Sequence, residues 1–475
     1  MSLRWDEGLD GPIARQLRPL SVRSPLALVD WRRYQSLIGT AEVIRATGRV
    51  SGLVGLTIEA DGPTTRVGEL CMLEELSTRQ KVPAEVVGFR RGRVLLMPIG
   101  DHHGIGPGWV VSATGESLTA PVSEHLLGRV VDALAHPIDG RGPVPATVRR
   151  ALISTPPHPL SRPRVTERLT TGVRVIDTLL TLGRGQRMGI FAGSGVGKST
   201  LLGMIARTSS ADVNVIALVG ERGKEVRDFL ERDLGADGLK KSVTVVCTSD
   251  QPALLRLKAA LTATTIAEHF RDRGANVMLL VDSVTRWALA QREVGLATGE
   301  PPTTRGFPPS VFALLPRLLE RAGRSSRGSI TGIYTVLVEG DDLAEPISDS
   351  CRAILDGHLV LSRRIASQNH FPAVDVLESV SRVTTDVLSP EELEVAGAVR
   401  DILATYREAE DLIAVGAYKR GASPKIDRAI ELIDGLRAFL RQNIRETADD
   451  AGAWARLRAM VHSQSQPATP SVPGS

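Results

Sequence analysis

Residues 192–200 read Ala-Gly-Ser-Gly-Val-Gly-Lys-Ser-Thr, and no other stretch limits the fold of the chain as tightly. An apolar run at 188–191 leads in, and a helix-forming stretch at 201–206 follows. A strand, a glycine-rich loop and a helix in that order form a cradle for phosphate. Gly193, Gly195 and Gly197 let the backbone bend tightly and turn successive N–H groups inward. Ser194, Val196 and Thr200 complete the loop. The amino end of the helix adds partial positive charge at the same point. Lys198 can reach the β- and γ-phosphates of a nucleotide, and Ser199 can place its hydroxyl on Mg²⁺. Ala192 stands where the pattern usually has its first glycine, a change that holds if its φ is negative.

The rest of the chain sets broader limits. Its 475 residues suit about two to four domains. A net charge of +4 is small for this length and argues against bulk nucleic-acid binding, though not against a local basic patch. Cys71, Cys247 and Cys351 lie far apart, which favours a reducing compartment and no structural metal. The first residues lack the apolar core of a signal peptide, and no run of about 18 apolar residues suggests a membrane span. A cytoplasmic protein, able to dock on a membrane complex, is expected.

Along the chain the pattern changes several times. Residues 1–45 read as a partly amphipathic helical arm, with Ala27, Trp31, Tyr34 and Ile38 on one face, either packed on the next domain or docking a partner. Residues 46–120 carry short alternating runs between glycine-rich turns, the pattern of a small β-barrel. From 121 to 385 the chain reads as the domain around the phosphate loop, with a proline-rich linker near 151–165. Beyond that linker, β-branched runs at 213–219, 243–248, 277–281 and 333–338 alternate with helical segments, as in a mostly parallel sheet. Residues 386–462 turn helical from the capping box Ser389-Pro390-Glu391-Glu392; Val395, Val399, Ile402 and Tyr406 share one face, and Ala429, Leu432, Leu436 and Phe439 another. Residues 463–475, rich in Ser, Gln, Pro and Gly, read as a disordered tail.

Ligands of a parallel sheet sit outside the carboxyl ends of its strands, so the residues there carry the remaining chemistry. Asp282 ends an apolar run and can orient water on Mg²⁺, or simply cap the next turn. Glu221 follows another run and can polarise the attacking water, with Arg222 on the γ-phosphate; a surface Glu–Arg pair is the alternative. Arg382 is a candidate for the guanidinium that phosphoryl transfer gains from in trans, against a structural ion pair.

Several segments together resemble one family. They are 192–200, Gly-Glu-Arg-Gly-Lys-Glu-Val at 220–226 and Asp-Ser-Val-Thr-Arg at 282–286. To these add the proline-rich 299–312, Asp-Gly-His-Leu-Val-Leu-Ser-Arg at 356–363 and Pro-Ala-Val-Asp-Val-Leu-Glu-Ser-Val-Ser at 372–381. Over roughly 45–445 the chain resembles the F1/V1-type rotary ATPase α/β-subunit family, and within it the flagellar type III protein-export ATPases. The resemblance implies an N-terminal small β-barrel, a central α/β RecA-like P-loop NTPase domain and a C-terminal α-helical domain. It implies a P-loop ATPase working as a homo-hexamer, with ATP and Mg²⁺ at subunit interfaces. By it, Lys198 and Ser199 bind phosphate and metal, Glu221 activates water, Asp282 supports Mg²⁺, Arg382 reaches into the neighbour's site and Phe371 stacks on adenine. Glu221 is also what non-catalytic rotary subunits lack. The 300–312 loop would face the ring's pore, unless it is a rigid surface turn. Implied partners are an inhibitory stator protein at the N-terminus, a central stalk protein, export-gate membrane proteins, and export chaperones and substrates; no nucleic acid is expected. The injectisome ATPases of the same family are the close alternative. A proton-coupled synthase subunit and an RNA ring helicase fit less well, since neither a proton path nor an aromatic-and-basic stacking platform is visible.

Overall fold

The computed structural model describes residues 46–462 apart from 102, 146, 147, 339 and 341. The docking arm expected at 1–45 and the tail expected at 463–475 lie outside the described residues.

Six strands, Thr47–Val54, Thr57–Asp61, Glu69–Glu74, Lys81–Arg90, Arg93–Pro98 and Val110–Ser117, close into an antiparallel barrel. Closure comes from the first strand, which pairs with the second on one side and with the sixth on the other. Alternate side chains fill the interior: Ile58 and Ala60, Cys71 and Leu73, Val94 and Leu96 are all buried. That is the period-2 pattern expected of strands with one wet face. Between the paired residues Arg90 and Arg93, Arg91 and Gly92 both adopt positive φ, the backbone of a two-residue hairpin whose twist suits the strands. The next strand, Thr119–Val122, leaves the barrel and pairs with Val148–Ala151.

The central sheet runs in the order Val374–Ser381, Gly357–Leu361, Arg187–Ala192, Ser329–Leu337, Asn276–Asp282, Val213–Glu221, Ser242–Thr248 and Val130–Val131. All neighbours are parallel except the first pair. Its inner strands are buried on both faces, so they read as continuous apolar runs, whereas the edge strand Val374–Ser381 leaves Glu378 and Val380 exposed. Parity sorts the faces. Val213, Val215, Ala217 and Val219 join one core with the helices Ala253–Arg271 and Val284–Thr298. Ile216, Leu218, Met278 and Leu280 join the other, with the helix Lys198–Thr208.

That second core also receives the C-terminal helices Pro390–Ala414, Pro424–Leu440 and Asp450–His462, through Val395, Val399, Ile402, Leu436, Phe439 and Trp454. The capping box forms as expected: the Ser389 hydroxyl accepts from the Glu392 N–H, and the Glu392 carboxylate accepts from the Ser389 N–H. Tyr406 and Leu432 are only partly buried against the same core.

The proline-rich stretch is fastened to the elements around the central sheet. Arg162 donates to the carbonyls of Glu320 and Ala322, and Ser154 donates to Glu268. Glu268 in turn forms a two-bond pair with Arg321, at 2.9 and 2.8 Å, and both side chains are almost wholly buried. Arg321 also donates to the Leu152 carbonyl and the Thr265 hydroxyl, so each of its guanidinium nitrogens has a partner. Arg321→Ala leaves Glu268 charged and unpaired in the core. A loss of about 3–5 kcal/mol in urea unfolding is expected, larger than for the Arg321→Met/Glu268→Gln double variant.

Candidate active site

The strand Arg187–Ala192 is the sheet's switch point: the chain leaves it toward one edge of the sheet and returns on its other side. A crevice therefore opens at its carboxyl end. There the chain bends through 193–197, with φ of 79° at Gly195 and 91° at Gly197, values only glycine takes without strain. Ala192 ends the strand outside the positive-φ residues, which explains why alanine serves there. The Val196 side chain is buried in the core and pins the loop. Ser194 is exposed, while Ser199 and Thr200 are half-buried at the start of the helix Lys198–Thr208. Gly197 caps that helix and has no side chain to bond its first N–H groups, which leaves them to an anion.

Lys198 points back from the helix into two carboxylates. Its ammonium lies 2.5 Å from Asp282 Oδ1 and 3.5 Å from Glu221 Oε1. Burial alone would drive this ammonium toward neutrality; the charges of Asp282 and Glu221 reverse that and hold its pKa above the ordinary lysine value. Asp282 Oδ1 also accepts from the Thr335 hydroxyl at 2.6 Å. Glu221 is pushed up to about 7, first by burial and then by the charge of Asp282, with Lys198 pulling it back. A hydrogen bond shared with Glu225 raises Glu221 further and holds Glu225 below the usual carboxylate range. A carboxyl poised near neutrality is what a general base requires.

The structure thus brings Lys198, Glu221 and Asp282 together with the phosphate loop. Phe371 joins them: a Cβ built on Gly197 would stand 3.5 Å from its ring, so the ring lies beside the loop. Arg222 is exposed beside Glu221. Arg382 is not at this site. Leu361 pairs with Val374 beside the loop, whereas Gly357 pairs with Ser381, so Arg382 follows at the opposite end of the sheet and is exposed. The strand Arg187–Ala192 between these ends spans five residue steps, roughly 17 Å.

Three participants escape the sequence. Glu225 and Arg286 each stand four residues after a strand-ending acid, Glu221 and Asp282, in the first turn of the helix that follows; that placement is the available signal. Arg286 lies across Gly220, where a Cβ would meet the Arg286 Cβ at 2.9 Å. Thr335 leaves no signal, because it reaches Asp282 only through the register of two neighbouring parallel strands.

The donors suited to a metal are the Ser199 hydroxyl and the Asp282 carboxylate, both hard oxygens. Among the described residues no group of three or more His, Cys, Asp or Glu side chains is placed to hold an ion. Mg²⁺, which keeps most of its waters and binds through one or two protein oxygens plus phosphate, fits such a sparse set.

The fold and this constellation define a P-loop nucleoside triphosphatase with a RecA-like sheet. Comparison with known proteins sharpens the class. The model of the ATP synthase alpha/beta family nucleotide-binding domain matches residues 172–381, and that of the family's beta-barrel domain matches 50–115. The T3SS EscN ATPase C-terminal domain model matches 388–459. The Flagellum-specific ATP synthase of Bacillus subtilis is 54% identical over 422 residues, covering 87% of this chain and 95% of that protein. The Type 3 secretion system ATPase of Xanthomonas euvesicatoria is 50% identical over 405 residues, covering 85% and 92%. The solved structure of the assembled ATPase EscN from enteropathogenic E. coli is similar with a TM-score of 0.83 at 46% identity, over 87% of this chain and 100% of that one. The chain belongs to the ATP synthase alpha/beta family, in its branch of flagellar and type III secretion ATPases, and it is an ATP-hydrolysing enzyme.

Glu221 must lose its proton to act as a base, so kcat/KM is expected to rise with pH through about 7. Glu225→Gln removes a neighbouring charge that raises the Glu221 pKa, and the acid limb should then move to lower pH. An unmoved limb in the pH–rate profile would count against Glu221 as the titrating group.

Proposed function

We propose that this protein is the ATPase of a flagellar type III protein-export apparatus, a homo-hexameric ring whose hydrolysis cycle releases and unfolds export substrates. The observation that carries the shared-site reading is the separation just described: base, lysine and phosphate loop stand at one end of the sheet, and Arg382 is exposed at the other. A complete site then needs two copies, one bringing Glu221 and the other Arg382. EscN, to which the chain is similar, has been solved assembled and in complex with its central stalk EscO. A stalk protein in the ring centre is the corresponding partner here. A stator protein on residues 1–45, export-gate membrane proteins, chaperones and export substrates complete the set. The workplace is the cytoplasmic face of the membrane that holds the export gate; among the described residues no helix is long and apolar enough to cross it.

In this reading the loop N–H groups and Lys198 hold the β- and γ-phosphates, and Phe371 stacks on adenine. Ser199 and Asp282 hold Mg²⁺, which when bound neutralises phosphate charge. Glu221 takes the proton of the attacking water as its oxygen bonds to the γ-phosphorus; the bond to the β-phosphate oxygen breaks, and ADP leaves with the electron pair. Arg222 and the neighbour's Arg382 steady the charge on the transferring group. The domains divide the work as 46–120 for the ring's barrel collar, 121–385 for hydrolysis and 386–462 for the face toward the export gate.

An injectisome ATPase is the second reading, favoured by relatives named Type 3 secretion system ATPase at 50% identity. Gene deletion separates the two: filament assembly should fail and return with the wild-type gene, but not with Glu221→Gln. Intact filaments with lost needle secretion would favour the second.

In vitro, Lys198→Ala should abolish hydrolysis and weaken nucleotide binding, and Glu221→Gln should retain ATP uncleaved. Arg382→Ala should bind ATP near normally yet lose about 10³-fold or more in turnover. Specific activity should climb with protein concentration as rings assemble; a flat response counts against sites at subunit interfaces.

A further inference from the structure

The base of Arg382 is held by an unusual set of buried polar contacts. The Arg382 N–H donates to the Asp356 carbonyl at 2.9 Å. The same carbonyl accepts from Gln186 Nε2 at 3.2 Å, and Gln186 Nε2 also donates to the Ser381 hydroxyl at 3.1 Å. Gln186 Oε1 accepts from the Gly183 N–H at 2.9 Å, and the Ser381 hydroxyl donates to the Thr181 carbonyl at 2.7 Å. Gln186 has no exposed surface at all. A fully buried amide costs free energy unless its partners are in place, so this one fixes its neighbours in a single arrangement.

Next to it, Arg187 holds Asp356 by both chain and side chain. Arg187 Nε and Nη2 donate to the Asp356 carboxylate at 3.1 and 3.0 Å, the Arg187 N–H donates to it at 3.0 Å, and the Asp356 N–H donates to the Arg187 carbonyl at 2.9 Å. Glu320 pairs with the other guanidinium nitrogen. Arg187 is the first residue of the strand that ends in the phosphate loop. The two ends of one strand, roughly 17 Å apart, therefore carry the chain's own nucleotide cradle and the frame of its exposed arginine.

We infer that Gln186, with the Arg187–Asp356 pair, is a positioning element that sets where Arg382 stands relative to the chain's own phosphate loop. It ties the guanidinium serving the neighbouring site to the strand that holds this chain's nucleotide. The inference rests on the proposed role of Arg382 in trans. Its physical content is that the Arg382 side chain is exposed and, among the described residues, makes one hydrogen bond, a long one of 3.3 Å to the Arg352 carbonyl. Loosening the frame misplaces the guanidinium without touching the groups that bind ATP in the same chain.

The test uses full-length rings of Gln186→Met, which keeps the volume and removes the amide, and of Asp356→Asn, which keeps the fold's shape and weakens the Arg187 pair. Both should bind ADP within about twofold of wild type while kcat falls about 10- to 100-fold, the scale of a misplacement of about 1 Å. Mixing either with Lys198→Ala subunits is the decisive step. Lys198→Ala chains lack a working phosphate loop but carry a well-held Arg382, so they should restore turnover in the Gln186→Met sites beside them. A loss of kcat that mixing does not repair, or a loss of ADP binding, overturns the inference, since the defect then lies in the chain's own site. If Gln186→Met does not assemble, Asp356→Asn decides the matter by the same measurements. Lost turnover in Arg382→Ala with normal turnover in both frame variants removes this inference alone. Retained turnover in Arg382→Ala removes the trans role itself.

Discussion

A lysine ammonium buried against two carboxylates is the constraint around which this molecule is organised. Lys198 can keep its charge away from water only because Asp282 and Glu221 stand within 2.5 and 3.5 Å. Burial and the neighbouring Asp282 charge in turn make Glu221 hold its proton more tightly. The balance requires that residues from three separate segments meet at the same end of the sheet. A parallel sheet achieves that: Leu218 pairs with Asp282, and the strand that carries Leu218 runs on three residues past that level to Glu221. The helix that presents Lys198 starts from the end of a third strand in the same sheet.

Holding the strand ends level leaves the sheet with two apolar faces to cover, and the chain covers them with different parts. The barrel side is fixed by charge as well as by packing. Glu85 of the barrel and Lys258 of the helix Ala253–Arg271 are both largely buried and 2.5 Å apart. The barrel residues Met97 and Ile99 lie in the same core as that helix. On the opposite face the C-terminal helices share their core with the helix of the phosphate loop. The barrel thus joins the core on one face of the sheet, and the C-terminal bundle joins the core that carries the helix of the phosphate loop on the other.

Much of this was legible in the amino-acid sequence, and the reasons are physical. A phosphate loop needs glycines and a lysine at fixed spacing, so it announces itself. Buried parallel strands are apolar on both faces, so 213–219, 243–248 and 277–281 stood out almost to their ends. The strand Ser329–Leu337 showed only its second half. Its first residues are Ser, Ile, Thr and Gly, buried but polar or small, with the Ser329 hydroxyl donating to Asn276. Val130–Val131 also escaped: two residues carry no periodicity, and their place at the sheet edge depends on pairing with Thr244 and Val245, more than a hundred residues away. Within the site the sequence named the residues at strand ends but not those that brace them. Thr335 and Glu225 act through strand register and proximity, neither of which a residue type encodes. The proline-rich 300–312 loop was open between pore element and surface turn. Here Arg305 takes positive φ and pairs with Asp342 and Glu345, so distant acids hold the loop's shape.

The ring of Phe371 rests on the phosphate loop, but its backbone hangs from elsewhere. The Phe371 carbonyl accepts from the Gln442 N–H at 2.9 Å, just past the end of the helix Pro424–Leu440. The Gln442 side chain accepts from the Arg174 N–H and donates to the carbonyls of Gly172 and Glu446. An aromatic plate against the nucleotide cradle is therefore bolted to the root of the C-terminal bundle. A displacement of that bundle would therefore be felt first at the ring beside Gly197. The turn at Gly197 and the root of the C-terminal helices are thus joined through one aromatic side chain and one backbone hydrogen bond.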